Sequence, residues 1–174
     1  MQRGSEDFIE LLKPVYDHAL NYCFALAGNE TDAQDLLQDS LLKALENFAK
    51  LKDETKFKSW LFTILTRQCY AMHQKALVKK KFLKESFYEI VEFPRIFQKE
   101  RTPDQKLLLE SLNLISEKER IAIVLFEVAG FSLEEIKIIQ GEKSLSAVKS
   151  RISRTRVKLK ELILGIQSKA FSNG

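Results

Sequence analysis

Apolar residues recur at steps of three and four along most of the chain, the spacing that buries one face of an α-helix. From Phe8 this pattern runs to a break at Gly28. A capping-box sequence at Thr31–Gln34 predicts the start of a second helix, and a third extends from Phe57 to about Lys81. No segment alternates apolar and polar residues with period two, so the pattern predicts an all-α fold.

The second predicted helix has two contrasting faces. Its apolar stripe predicts five buried side chains: Leu37, Leu41, Ala44, Leu45 and Phe48. The opposite face is acidic and includes one apolar residue, Leu42, a combination found at docking surfaces. A solvated face with one isolated leucine explains the same pattern equally well.

Residues 82–104 interrupt the helical pattern, with two of the three prolines and mixed charges. We therefore predict an N-terminal bundle at 1–81, a linker at 82–104 and a C-terminal bundle at 105–174. Two further capping boxes, Ser116–Glu119 and Ser132–Glu135, predict helix starts in the C-terminal bundle.

The sequence pattern over 133–163 predicts a helix–turn–helix. It consists of a short helix at 133–140, a C-terminal cap at Gly141 and a longer helix over 147–163. On a helical wheel the longer helix has one apolar face, and small polar residues with one arginine lie opposite it, flanked by cations. These outward residues suit a DNA major groove, where serine and arginine bond base edges and cations meet phosphates. The outward set is Lys149, Ser150, Arg151, Ser153, Arg154 and Arg156. A cationic surface helix in an ordinary bundle is the alternative.

The net charge of +4 is small, but the charges are segregated along the chain. Between Thr55 and Lys84 there are eight Lys or Arg residues and no acid, and between Lys143 and Lys160 there are seven and no acid. Two cationic segments predict two separate electrostatic surfaces, and the composition favours nucleic acid as a partner.

In the first cationic segment aromatic residues alternate with the cations, a mixture that suits single-stranded nucleic acid. Phe57, Trp60 and Leu65 are assigned to the core. The candidate contacts, expected to project from the other side or to lie at the start of the helix, are Lys56, Lys58, Phe62, Thr63, Thr66, Arg67 and Tyr70. The preceding loop, 50–56, is a further candidate, for receiving an unstacked base.

Catalytic and metal-binding patterns are not found. Cys69 and His73 are spaced i, i+4, but two ligands do not define a zinc site, so we expect no metal and no cofactor. The protein is not expected to be an enzyme. Because no apolar run is long enough for a membrane span and no signal peptide is present, we expect a reducing, cytoplasmic location.

Four stretches of the chain, taken as two pairs, carry a family resemblance. "DAQDLLQDSLLKAL" (32–45) with "KFKSWLFTILTR" (56–67) resembles the first domain of the extracytoplasmic-function sigma factors of bacterial RNA polymerase. "LNLISEKERIAIVLFEVAGFSLEEIKIIQG" with "AVKSRISRTRVKLKEL" resembles their second, so the resemblance covers almost the whole chain in the right order.

The resemblance implies three contact surfaces and no catalysis. The acidic helix would dock on the β′ clamp of core RNA polymerase, residues 50–75 would open and read the minus-ten element as a single strand, and the helix–turn–helix would read the minus-thirty-five element as duplex. An anti-sigma factor is a further implied partner. The residues implied to bind polymerase are Asp35, Gln38, Asp39, Leu42 and Lys43.

Two other functions stay open. One is a helix–turn–helix regulator that binds duplex DNA without joining polymerase, against which the acidic helix and the aromatic segment argue. The other is a protein-interaction adaptor on the same fold, suggested by three departures from the family pattern: Arg67, Lys137 and the long turn "GEKSLSAV".

Overall fold

The computed structural model describes residues 4–78 and 102–172. Within these ranges the chain forms eight α-helices and no strand, so the all-α prediction is confirmed. The first half of the molecule, 4–78, holds α1 to α4, and the second half, 102–172, holds α5 to α8. The helices are α1 (Ser5–Leu12), α2 (Tyr16–Ala27), α3 (Glu30–Asn47), α4 (Phe57–Val78), α5 (Pro103–Asn113), α6 (Glu117–Glu127), α7 (Leu133–Gln140) and α8 (Leu145–Ser172).

The first predicted helix is divided in two. Pro14 lies in a 3₁₀ turn, Lys13–Val15, that separates α1 from α2, because proline cannot donate the backbone hydrogen bond that a continuous helix requires. α2 ends as predicted at Gly28, whose φ of 76° is left-handed. A side chain at Gly28 would also meet Asn113 of α5, since an added Cβ would lie 2.8 Å from Asn113 Oδ1.

Two predictions for α3 are wrong. Its N-cap is Asn29, whose side chain accepts a hydrogen bond from the Asp32 amide at 2.9 Å, so Thr31 is not the cap. Asparagine is the stronger capping residue, and it immediately follows the glycine that ends α2. Leu45 is 40% exposed and not buried, because the core side of α3 is completed by Ala44 and Phe48.

In the second half, local signals predict the helix ends well. The capping boxes at Ser116–Glu119 and Ser132–Glu135 are both formed, and Gly141 ends α7 with a φ of 66°. α5 has its own capping box between Thr102 and Gln105. The predicted linker, 82–104, lies outside the described residues except for its last three, which cap and open α5.

One hydrophobic core runs through both halves. α2 and α4 of the first half pack against α6 and α7 of the second, and we call this contact the seam. At the seam the rings of Phe62 and Phe131 are 4.9 Å apart, and Arg120 donates to the Leu26 carbonyl at 2.9 Å. The two halves that the sequence separates are therefore packed together here. None of the helices described is both long and apolar enough to cross a membrane.

Candidate protein and nucleic-acid interfaces

The acidic face of α3 is open to solvent. Gln38, Asp39 and Lys43 are exposed, and Asp35 is half-buried. Leu42, at 40% exposure, lies among them as predicted. Leu45, which the sequence assigned to the core, is exposed one turn further on, so the apolar part of this surface is larger than predicted. An apolar pair rimmed by acids has the chemistry of a docking surface for a basic protein partner.

On α4, the prediction that Phe62 and Thr66 project away from the core is wrong. Phe62 has no exposed surface and Thr66 has 1%. Phe62 packs between Tyr22 of α2 and Phe131 of the second half, and the Thr66 hydroxyl lies 2.7 Å from that of Tyr22. In this arrangement of the chain neither side chain can reach a base.

The other α4 candidates differ among themselves. Lys56 and Arg67 are exposed, whereas Thr63 is half-buried and donates to the Ser59 carbonyl at 2.8 Å. Lys58 faces the seam, where its Nζ donates to the Ala129 carbonyl at 2.7 Å and lies 4.8 Å from the centre of the Phe131 ring. The set predicted to form one nucleic-acid surface is therefore split between solvent, core and seam.

Tyr70 also faces the second half. Burial raises the pKa of its hydroxyl, and a hydrogen bond with Gln140 of α7 opposes that rise. Its phenol therefore stays neutral, and it contributes to the seam as well as to the half-exposed side of α4.

α7 and α8, the two helices of the predicted helix–turn–helix, are positioned by a small apolar contact between them. Ile136 and Ile139 of α7 are buried, as are Val148 and Ile152 of α8. After the left-handed Gly141, Ser144 Oγ accepts from the Ala147 amide at 3.2 Å, which helps to start α8. This packing fixes which side of α8 faces outward.

The outward side of α8 carries most of the residues that the sequence placed there. Lys149, Ser150, Ser153 and Arg154 are exposed. In the part of the chain described, no hydrogen bond or ion pair joins these four side chains to another group. Two hydroxyls and two cations on one open helix face can bind base edges and phosphates.

The neighbouring cations of α8 are paired. Arg151 is mostly buried, with its guanidinium 2.8 Å from Glu142 and 3.2 Å from Gln140. Arg156 donates to Glu127 at 2.7 Å and lies over the Phe126 ring. Of the six predicted contacts, Arg151 and Arg156 thus have partners within the protein, and the cationic surface is narrower than the sequence suggests.

A cluster of three polar side chains lies on the seam. His73 of α4 contacts Glu117 of α6 through Nδ1, and Cys69 Sγ is 3.9 Å from that nitrogen and 3.8 Å from Glu117 Oε1. Burial raises the pKa of the Cys69 thiol to about 12, and Glu117 adds to the rise while Arg120 opposes it. Sequence reasoning placed Cys69 and His73 on one face but missed Glu117, which is 44 residues beyond His73.

Known sequences and structures are similar to this chain along most of its length. Residues 11–76 match the family model for sigma-70 region 2. The RNA polymerase sigma factor YlaC of Bacillus subtilis is 30% identical over 156 residues, which is 87% of this chain and 89% of that protein. The ECF RNA polymerase sigma factor EcfG of Rhodopseudomonas palustris is 28% identical over 148 residues, 82% of this chain and 77% of that protein.

Two solved structures share the fold. The sigma factor RpoE of Bartonella quintana, crystallised with the anti-sigma factor NepR, matches with a TM-score of 0.72 and 30% identity, over 91% of this chain and 97% of that one. CnrH in complex with the cytosolic domain of CnrY matches with a TM-score of 0.68 at 21% identity, over 93% and 90% of the two chains. The similarity over nearly the whole length and the helix order agree: this chain belongs to the extracytoplasmic-function sigma factors of the sigma-70 family and acts in transcription initiation.

Proposed function

We propose that this sigma factor brings core RNA polymerase to promoters through three surfaces with separate roles. The acidic face of α3 docks on the polymerase clamp, α8 reads the minus-thirty-five duplex, and α4 with the preceding loop holds the unpaired minus-ten strand. The protein binds and does not catalyse, so opened DNA is trapped by favourable contacts without ATP. Its site of action is the cytoplasm, where polymerase works.

The observation that carries the proposal is the open face of α8. Lys149, Ser150, Ser153 and Arg154 lie together on solvent, opposite a buried stripe that includes Val148 and Ile152. A helix that is held by one face and presents hydroxyls and cations on the other has the form of a major-groove reader. Lys58 and Phe62 would join the minus-ten surface only after the two halves separate, since the seam covers both.

The negative charge of the α3 surface indicates what kind of partner it binds. A surface of acids around Leu42 and Leu45 attracts a partner with basic and apolar residues, and the family assigns that place to the polymerase clamp. Because the similar sigma factor RpoE was solved with the anti-sigma factor NepR, an anti-sigma factor is the proposed regulator here.

Asp39→Arg in α3 tests the docking role. We expect this variant to keep its fold but to lose binding to core polymerase and transcription in vitro, because the charge reversal opposes the partner's charge. Glu110→Arg, the same reversal at an exposed position of α5, is the matched control. Unchanged binding of Asp39→Arg to the core enzyme would refute the assignment of α3.

A protein-interaction adaptor is the second candidate, favoured by the burial of Phe62 and Thr66 on the proposed single-strand surface. Transcription in vitro with core polymerase distinguishes the two candidate functions. A sigma factor yields transcripts from defined start sites, whereas an adaptor binds polymerase and yields none.

A further inference from the structure

The Cys69–His73–Glu117 cluster has the composition of a transition-metal site. One thiol, one imidazole and one carboxylate offer ligand atoms that all lie within 4.8 Å of one another. We propose that these three side chains bind a zinc-type divalent ion, and that the bound ion ties α4 to α6 across the seam.

Local structure explains why the three groups meet. Cys69 and His73 are one turn apart on α4, so their side chains share a face. Glu117 is the first residue of α6, directly after the Ser116 cap, and the helix start therefore fixes the direction of its carboxylate. The ligand atoms come from both halves of the molecule, so a bound ion would link α4 to α6.

The distances are close to those of a tetrahedral site. Zinc bonds of about 2.0–2.3 Å place neighbouring ligand atoms roughly 3.3–3.6 Å apart. Cys69 Sγ is already 3.9 Å from His73 Nδ1 and 3.8 Å from Glu117 Oε1. Only His73 and Glu117, which touch, would have to move apart, and both are free to adjust because their side chains are 34% and 30% exposed.

Charge and access also fit a divalent ion. A thiolate and a carboxylate together neutralise the two charges of the ion. The partial exposure of His73 and Glu117 gives the ion a way in and leaves a fourth position for water. The soft sulfur and borderline nitrogen select zinc or cobalt over magnesium or calcium, which prefer oxygen ligands.

Binding there would have a functional consequence, which, unlike the metal site itself, rests on the proposed promoter function. Separation of the halves frees Lys58 and Phe62, and an ion held by α4 and α6 together opposes that separation. Metal would therefore favour the packed form of the chain and reduce its binding to promoter DNA.

Titration of the full-length, metal-free protein with Co²⁺ tests the site. We expect one ion per chain, thiolate-to-cobalt charge-transfer absorption, and displacement by Zn²⁺. Cys69→Ala should abolish the absorption, and His73→Asn and Glu117→Gln should weaken binding by more than about 100-fold, because outer-shell partners alone contribute about 10- to 100-fold.

The chain supplies a matched control, since it has two cysteines and two histidines in all. The double variant His18→Asn/Cys23→Ala removes the other pair and should bind Co²⁺ like the unmodified protein. Circular dichroism checks the fold of each variant. If Cys69→Ala unfolds, the Co²⁺ affinities of the variants at the half-exposed positions 73 and 117 test the site instead. Absence of stoichiometric binding by the folded protein, or equal binding by all the variants, overturns the proposal and leaves a plain His73–Glu117 ion pair.

A second measurement addresses the consequence. With polymerase holoenzyme and labelled promoter DNA, one equivalent of Zn²⁺ should reduce complex formation about tenfold for the unmodified factor and not for Glu117→Gln. An equal response of the two proteins overturns the regulatory part. If no promoter complex forms even without zinc, the proposed function fails, while the cobalt titration still decides the metal site.

Discussion

The helix α4 and the first part of α8 both lie in sequence segments that contain cations and no acids, but α4 is covered on two sides and α8 is buried on one face only. α4 packs on α2 and α3 and, across the seam, on α7, so Phe62 and Thr66 are buried. α8 buries a stripe through Val148, Ile152 and Leu159 and leaves Arg154 on solvent. The comparison shows that a cationic sequence pattern predicts an open contact face only where the helix is buried on one side alone.

The largest expected effect is a difference in stability between an alanine substitution at Phe62 on α4 and one at Val157 on α8. Phe62→Ala should lower the free energy of unfolding by about 3–5 kcal/mol, since it leaves a cavity between Tyr22 and Phe131. Val157 is 58% exposed, and Val157→Ala should change stability by no more than about 0.5 kcal/mol. Chemical denaturation measures both. Similar small losses would mean that Phe62 is not covered in solution, and the contrast between the two helices would disappear.

A medium effect tests whether Arg154 reads bases. Arg154→Ala should weaken duplex promoter binding by about 1–3 kcal/mol, and more for the cognate sequence than for a random one. Arg156→Ala is the control, because that guanidinium is paired with Glu127. Fluorescence anisotropy at fixed salt gives both affinities. An equal loss on cognate and random duplex would make Arg154 a phosphate contact.

The smallest effect concerns the paired cations of α8. Glu127→Gln should release Arg156 and cost no more than about 1 kcal/mol of stability, because the pair is exposed. The released charge should steepen the salt dependence of duplex binding by about one phosphate contact. Glu110→Gln on α5 is the matched control. An unchanged salt slope would show that Arg156 points away from the DNA even when unpaired.

Features set by neighbouring residues could be predicted from the sequence. Ser132 and Glu135 form their capping box, and α7 begins and ends where the pattern predicts because Gly141 supplies its left-handed end. Where two local signals compete, the sequence was less decisive: Asn29 and Thr31 are both acceptable caps, and the stronger one is used.

Features set by distant contacts could not be predicted. The burial of Phe62 depends on Phe131, which is brought to it by the packing of the two halves. The meeting of His73 with Glu117 spans 44 residues and has no signal in either segment alone. Helical periodicity assigns one buried face to each helix, so a helix between two layers, such as α4, is misread at its second face.

The continuous core also bears on the fate of the protein when polymerase is scarce. Phe62, Phe131 and the thiol of Cys69 are all covered while the halves stay packed. Opening the seam would present an aromatic and apolar surface of the kind that chaperones bind and proteases cleave. A free copy is therefore protected by the same contact that covers part of α4, and its lifetime in the cell would depend on how seldom that contact opens.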